Sequence, residues 1–421
     1  MESLQGKKLL ILGGSSYMID PVLQAKQMGI YTIVTDLHGI EKAPAKRIAD
    51  EYWDISLMAY DQLVPKIKER GVDGILTGFT DAFLLAYQHL CELTGLPCYA
   101  TKEMFETTMD KSKFKQLCRD NGVPVIPEYD LASFDPSTIT EKNKVIIKPV
   151  DNSGSNGVIV CNKPEEFTRC LEYALSFSAK KQVVIEKYME MDSVSISYTI
   201  QDGIISMSTM NDRVVHKAEN AGAVTNGGVY PSKYIDSYME KMDMKVRGMY
   251  EKLGVQNGVI AIQFFTDGDE YYCMEMGYRL TGGQHYIYTS MENGTSSLES
   301  LICYALTGRM ADYRIAERDN PRFKDLCFQW NILGREGKIV SVEGFEKVSA
   351  LPEVVKSTLD KRAGDVIGKD GTTSQKIAGI YTIVRDKDEM MKILDFIYST
   401  LKVLDEDGNN LVLDTVAENF K

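Results

Sequence analysis

Histidine is scarce in this chain, with four in 421 residues, and the eight cysteines are scattered. Cys91 and Cys98 stand seven positions apart, and no two cysteines have the spacing of a zinc or redox motif. Cysteine-rich metal sites and disulfide scaffolds are thereby excluded, and reduced structural thiols are expected. Long apolar runs are also missing. The N-terminal run Leu9–Leu12 is too short for a signal peptide, and nothing approaches the roughly 18 apolar residues of a membrane span. Positive charge is in deficit: the formal net charge is −12, with no local basic patch. Nucleic acid and anionic lipid surfaces are therefore poor partners. A cytoplasmic protein without nucleic-acid or membrane partners is the expectation. Repeats, low-complexity tracts and long linkers are absent as well.

What is present is an ordinary globular composition, 44% hydrophobic and 26% charged, in a chain long enough for about three domains. The first hundred residues alternate strand and helix. Leu9–Leu12, Tyr31–Asp36 and Gly74–Gly78 read as strands, separated by helices through Leu23 and Met28 and from Asp61 to Arg70. That order predicts a parallel, Rossmann-like sheet. The Gly13-Gly14 turn and Asp36 at the end of the second strand suggest a dinucleotide site, but Met18 and Ile19 occupy the region of the third glycine. A tight strand-to-helix turn is the better reading.

Beyond Lys111–Asn121, read as a helix, the pattern turns β-rich: Val145–Val150, Gly157–Val160, Val183–Tyr188 and Val194–Ile200, with one helix around Pro164–Phe177. One amphipathic helix is predicted from Ser232 to Leu253. The last hundred residues read as a further α+β piece. The stretch Gly364–Thr372 looks like a phosphate loop but fails the Walker spacing.

Two constellations carry chemistry. Val259–Phe265 and Tyr271–Met276 form a predicted hairpin around Thr266–Glu270. An odd-numbered loop centred on Asp269 places Gln263 opposite Glu275. Ala261, Gln263, Cys273, Glu275, Gly277 and Arg279 are then expected on one face. A carboxylate buried there demands a cation, and Arg279 suits a phosphate. The competing reading is a half-exposed hairpin with its polar residues in water. The second constellation is Lys148 at the end of an apolar strand, followed by the Gly/Ser hairpin Asp151–Gly157. Its small residues allow backbone N–H groups to close over phosphates, with the lysine as a point charge. An ordinary surface hairpin is the alternative.

Lys111 at a helix start, the strand lysine, the Gly-rich hairpin, the strand Val-Ile-Glu-Lys-Tyr-Met and the hairpin ending in Arg279 together resemble the ATP-grasp superfamily. The similarity is to its branch of carbamoyl-phosphate synthetases, biotin carboxylases and L-amino-acid ligases, over roughly residues 5–310. It implies mixed α/β and α+β architecture: a Rossmann-like domain (1–105), an ATP-grasp domain (106–312, small lid subdomain about 111–190) and a C-terminal α+β accessory domain (313–421). It implies that Lys111 and Lys148 contact ATP phosphates and that Gly154, Ser155 and Gly157 form the lid. Glu186, Lys187 and Met189 would line the adenine pocket, Glu186 accepting from the exocyclic amine, with Asp192 at the ribose. Gln263 and Glu275 would hold Mg²⁺, with Mn²⁺ as an alternative, and Arg279 would steady the transferring phosphoryl group. Gly277 departs from the usual metal-binding Asn, and Asp192-Ser193 departs from the usual Gly-x-Glu.

The implied activity is that of an ATP-dependent, Mg²⁺-dependent carboxylate–amine ligase working through an acyl phosphate and releasing ADP and phosphate. Its partners would be a small carboxylate and a small amine, and the resemblance also implies a homodimer. Arg213 and His216, in the polar stretch Asn211–Pro231, join Arg279 as expected substrate residues. The alternatives are a carboxyphosphate- or carbamate-forming enzyme and a non-catalytic ATP-binding module. The single ATP-grasp unit and the lack of a biotin-attachment sequence argue against the first.

Overall fold

The computed structural model describes residues 3–150, 156–217 and 223–416. The chain opens with β1 (Lys8–Leu12), α1 (Ile19–Gln27), β2 (Tyr31–Thr35), β3 (Glu51–Trp53), α2 (Tyr60–Arg70) and β4 (Gly74–Leu76). The strands pair in parallel in the order β3-β2-β1-β4. Leu9, Leu10, Ile11 and Leu12 are all buried, as expected of a strand covered on both faces. The Gly13-Gly14 turn is structural. The Gly14 N–H donates to Asp36 Oδ2 at 2.8 Å, and the other Asp36 oxygen takes the His38 backbone N–H at 2.8 Å. That carboxylate is committed to the turn and is not free for a ribose.

Two helices, α3 (Leu84–Thr94) and α4 (Lys102–Met109), lead to α5 (Lys111–Asp120). Next comes a small antiparallel sheet of β5 (Glu128–Tyr129), β6 (Val145–Pro149), β7 (Ile159–Cys161) and β8 (Val183–Lys187), ordered β5-β8-β6-β7 and backed by α6 (Phe167–Ser176). This unit has its own core, including Val145, Ile147, Cys161, Phe167, Ala174 and Ile185. Phe114 and Cys118 of α5 instead belong to the main core.

The largest sheet runs from β13 (Tyr271–Gly277) through β12 (Gly258–Thr266), β9 (Asp192–Gln201), β10 (Ile204–Lys217), β11 (Ala223–Tyr230) and β14 (Leu326–Gly334) to strands Lys376–Val384 and Val354–Leu359. Ladder pairing of Gly227 with Trp330 and Gly228 with Gln329 carries it across position 312, so the C-terminal piece is hydrogen-bonded into the central sheet.

Two expectations are corrected. The predicted helix from Ser232 to Leu253 is two helices, Ile235–Lys241 and Asp243–Leu253, broken at Met242. The break coincides with Asp243, whose carboxylate is drawn inward by the Tyr198 hydroxyl and Arg247, both at 2.7 Å. The β12–β13 hairpin also reaches its register by another route. Thr266 pairs with Tyr271 over a four-residue turn, and a bulge at Met274 restores Gln263 opposite Glu275. The bulge rotates Cys273 away from that face and into the core beside Phe264. Glu275 itself is exposed rather than buried, so the desolvation argument for a cation at this carboxylate falls away.

Candidate active site

The small sheet and the hairpin face one another across a cavity of about 1340 Å³. Along β6 the side chains alternate: Val145, Ile147 and Pro149 are buried, while Ile146 and Lys148 line the cavity. Along β8, Ile185 turns to the small core and Glu186 to the cavity. α5 begins at Lys111 because Asp110 caps it, accepting from the N–H groups of Ser112 and Lys113 at 2.9 and 3.0 Å. One turn later on the same face stands Lys115.

Glu186 is the hub of this wall. Its two oxygens accept from Lys115 Nζ and Lys148 Nζ, each at 2.5 Å, and Lys115 also donates to Glu128. Burial pushes the Glu186 carboxyl up, but the charges and hydrogen bonds of Lys148 and Lys115 outweigh it and hold the pKa at about 2. Glu186, expected as the acceptor for an adenine amine, here gives one oxygen to each lysine. Lys111 lies in the same electrostatic neighbourhood. Partial burial and then the charge of Lys148 lower its pKa, while Glu186 and Glu275 oppose the shift.

Lys187 is exposed and Met189 buried, and both line the cavity. Asp192 lines it too, with its carboxylate 2.8 Å from Lys233 Nζ and 2.7 Å from the Tyr234 hydroxyl. Gly154 and Ser155 lie outside the described residues. Gly157 has a packing reason to be glycine, since a Cβ there would meet Phe177 Cβ at 2.4 Å and Pro149 Cγ at 2.8 Å.

On the opposite wall, Gln263 and Glu275 both line the cavity. Gln263 Oε1 is enclosed and has no hydrogen-bond partner among the described residues. An oxygen donor left bare beside a free carboxylate fits a hard cation that keeps waters and phosphate oxygens in its shell. The donor set is lean: Gly277 contributes no side chain, and among the described residues no cluster of three or more His, Cys, Asp or Glu side chains could hold a metal.

Arg279 is paired in bidentate fashion with Asp81, Nε and Nη2 each 2.7 Å from a carboxylate oxygen. Asp81 was not singled out from the sequence. Its position in the loop after a parallel strand, where sites on such sheets open, was the available signal. Its neighbour Phe79 holds a left-handed backbone, φ +66°, and stacks on Tyr17 with ring centroids 5.6 Å apart. Arg213 lies close by, and its side-chain partners among the described residues are the hydroxyls of Ser193 at 3.4 Å and Thr225 at 2.9 Å. His216 is elsewhere. It lines neither this cavity nor the adjoining one, and its Nε2 is 3.1 Å from Asp370.

The profile of the ATP-grasp domain family matches residues 108–283, the span holding all these elements from α5 to Arg279. Residues 108–283 form an ATP-grasp domain. A formate-dependent phosphoribosylglycinamide formyltransferase of Bacillus subtilis (strain 168) is 21% identical over 288 residues, covering 65% of this chain and 71% of that protein. The crystal structure of an L-amino acid ligase from Bacillus licheniformis superposes with a TM-score of 0.78 at 17% identity, covering 96% of this chain and 99% of that one. The biotin carboxylase domain of a Hydrogenobacter thermophilus 2-oxoglutarate carboxylase, solved with MgADP and bicarbonate, gives 0.70 at 18% identity, covering 98% and 92%. Such identities establish the ATP-grasp fold and leave the substrates to the residues of this chain. Among the described residues no helix is long and apolar enough to cross a membrane.

Proposed function

We propose that this ATP-grasp enzyme is a Mg²⁺-dependent carboxylate–amine ligase. The observation that carries the reading is the facing of two walls across one cavity: Lys111 and Lys148 on one side, Gln263 and Glu275 on the other. Lys148, anchored by Glu186, and Lys111 offer positive charge to nucleotide phosphates. Met189 and the backbone near Lys187 would receive the base and Asp192 the ribose, all three residues lining the same cavity. Gln263 and Glu275 would hold Mg²⁺, which neutralises charge on the transferring phosphoryl group.

In the reaction proposed, a carboxylate oxygen of the acid attacks the γ-phosphorus and the bond to ADP breaks. The amine nitrogen then attacks the acyl carbon, the carbon–oxygen bond to phosphate breaks, and a proton leaves the nitrogen. The products are an amide, ADP and phosphate. Arg279, held by Asp81, and Arg213, without a carboxylate partner, are the guanidinium groups positioned to steady the acid and its phosphoryl group. The test is a screen of small acids and amines, singly and in pairs, with Mg²⁺ and ATP. Phosphate release that needs both an acid and an amine is the expected result. Release that needs bicarbonate alone, or nucleotide binding without release, would replace the reading.

A further inference from the structure

A second cavity of about 360 Å³ opens off the first and shares Arg213, Gln263, Glu275 and Arg279 with it. Its inner wall is built from side-chain amides whose orientation is set by a one-way relay. Asn331 Nδ2 donates to the Thr225 carbonyl at 3.1 Å, and Asn331 Oδ1 accepts from Gln329 Nε2 at 3.2 Å. Reversing Asn331 would set its oxygen against that carbonyl, so the relay has one polarity. Gln329 Oε1 is left as its end. It borders the backbone of Gly283, where an added Cβ would lie 3.4 Å away. Asn211 has the same sense: its Nδ2 donates to the Asp212 carbonyl at 3.3 Å, which leaves its oxygen free. Gly227 and Gly228 let β11 pass beneath, since a Cβ would meet the Gln329 carbonyl oxygen at 2.3 Å or Asn211 Nδ2 at 2.6 Å. Among the described residues neither amide oxygen accepts a hydrogen bond, and both residues line the cavity.

The charges complete the description. Arg279 is neutralised by Asp81, and Lys376 Nζ lies 3.1 Å from Asp360. Under the ligase reading Glu275 goes to the metal ion, and among the described cations lining the cavity Arg213 is the one without a carboxylate hydrogen-bond partner. Among the described residues the cavity thus offers one cation without a carboxylate partner and, besides Gln263 Oε1 assigned to the metal and the unpartnered His285 Nε2, the two amide oxygens of Gln329 and Asn211, with no carboxylate left for a second positive group. An ammonium in this enclosed space, beside a guanidinium, would be desolvated without compensation.

We propose that the acid activated by this enzyme is a small hydroxy- or amide-bearing carboxylic acid, its carboxylate met by Arg213 and its neutral O–H or N–H donor read by Gln329 and Asn211. This rests on the ligase reading above. The volume is near the lower end for ligand sites, about 300–1,000 Å³, which limits the acid to a few carbons. Gln329 is then a specificity-determining residue. A site built to bond a donor discriminates against the analogue lacking it, because the unpaired acceptor stays desolvated.

The test is calorimetry on the full chain with Mg²⁺ and a non-hydrolysable ATP analogue. Lactate is compared with propionate and succinamate with levulinate, and phosphate release is followed in parallel with ATP and mixed amines. The donor-bearing member of each pair is expected to bind at least about tenfold tighter, and Gln329→Met to erase the gap. Gln329→Glu restores a negative counter-charge and is expected to admit β-alanine, so it decides the matter if the Met variant fails to fold. Equal binding within each pair, absence of binding by all four acids, or an unchanged gap in Gln329→Met together with exclusion of β-alanine by Gln329→Glu would overturn the inference. Donor-selective binding without any phosphate release would uphold it and defeat the ligase reading. Phosphate release without donor selectivity would do the reverse.

Discussion

Replacing Glu186 by Gln removes the charge that holds Lys115 and Lys148 together. The ordinary carboxyl pKa of 4.5 falls to about 2 in the folded protein. At about 1.4 kcal/mol per unit this amounts to about 3 kcal/mol of stabilisation of the ionised, folded form. The side chains of Glu186 and Lys115 are only 6% and 3% exposed, so little of this is screened by solvent. Breaking a buried pair by neutralising one partner costs about 3–5 kcal/mol, the same size. Because the folded pKa is depressed, the stabilisation is complete above about pH 4.5 and is lost as pH falls through 2. Glu186→Gln is therefore expected to lose about 3 kcal/mol at pH 7, and the gap from the wild type should narrow as pH falls below 4.5. The molecule has several cores, so the readout is amide exchange in β6 and β8 combined with urea unfolding. A gap below about half a kcal/mol at pH 7, or one that does not change with pH, would refute the reasoning.

Four further outcomes rest on the same geometry. Burial lowers the His285 pKa to about 4, so its contribution to stability is complete above about pH 6.5 and is lost as pH falls toward 4; His285→Gln should remove that component from the urea midpoint between pH 7 and 5. Lys369 donates to the Tyr173 hydroxyl at 3.2 Å and its ammonium stands 5.5 Å from that ring, tying the C-terminal piece to α6. Lys369→Met should raise KM for ATP by about 2- to 5-fold with kcat retained, and Lys369→Arg should restore it. Glu275 is exposed, so Glu275→Gln should leave urea stability within about half a kcal/mol while cutting Mg²⁺-dependent phosphate release at least a hundredfold, about the loss expected of a missing metal ligand. Gly277→Asn has room, with a Cβ meeting Arg279 at an ordinary 3.5 Å, and should change Mg²⁺ dependence only modestly.

The strands, the parallel N-terminal sheet and the pairing of Gln263 with Glu275 were legible because apolar periodicity and local turns set them. The bulge at Met274 was not, since strand alternation assumes a regular ladder, and with it went the placement of Cys273 and the burial of Glu275. The pairing of Glu186 with two lysines was not legible because its partners come from α5 and β6, and nothing local announces their meeting. Lys115 had a local signal, four residues after Lys111 on one helical face. The Asp81–Arg279 pair spans 198 positions, and the amide relay joins β11 and β14, so both emerge only from the assembled sheet. His216 shares the polar stretch Asn211–Pro231 with Arg213. The β10 ladder instead carries it to Asp370, away from both cavities.

If the acid is activated as an acyl phosphate, one of its carboxylate oxygens becomes part of the released phosphate. An acid that supports turnover, labelled with ¹⁸O in its carboxylate, tests this directly when the phosphate formed with ATP, Mg²⁺ and the amine is weighed by mass spectrometry. The account predicts one ¹⁸O in each phosphate and one in each amide. Phosphate free of label, with both heavy oxygens remaining in the acid, would contradict it.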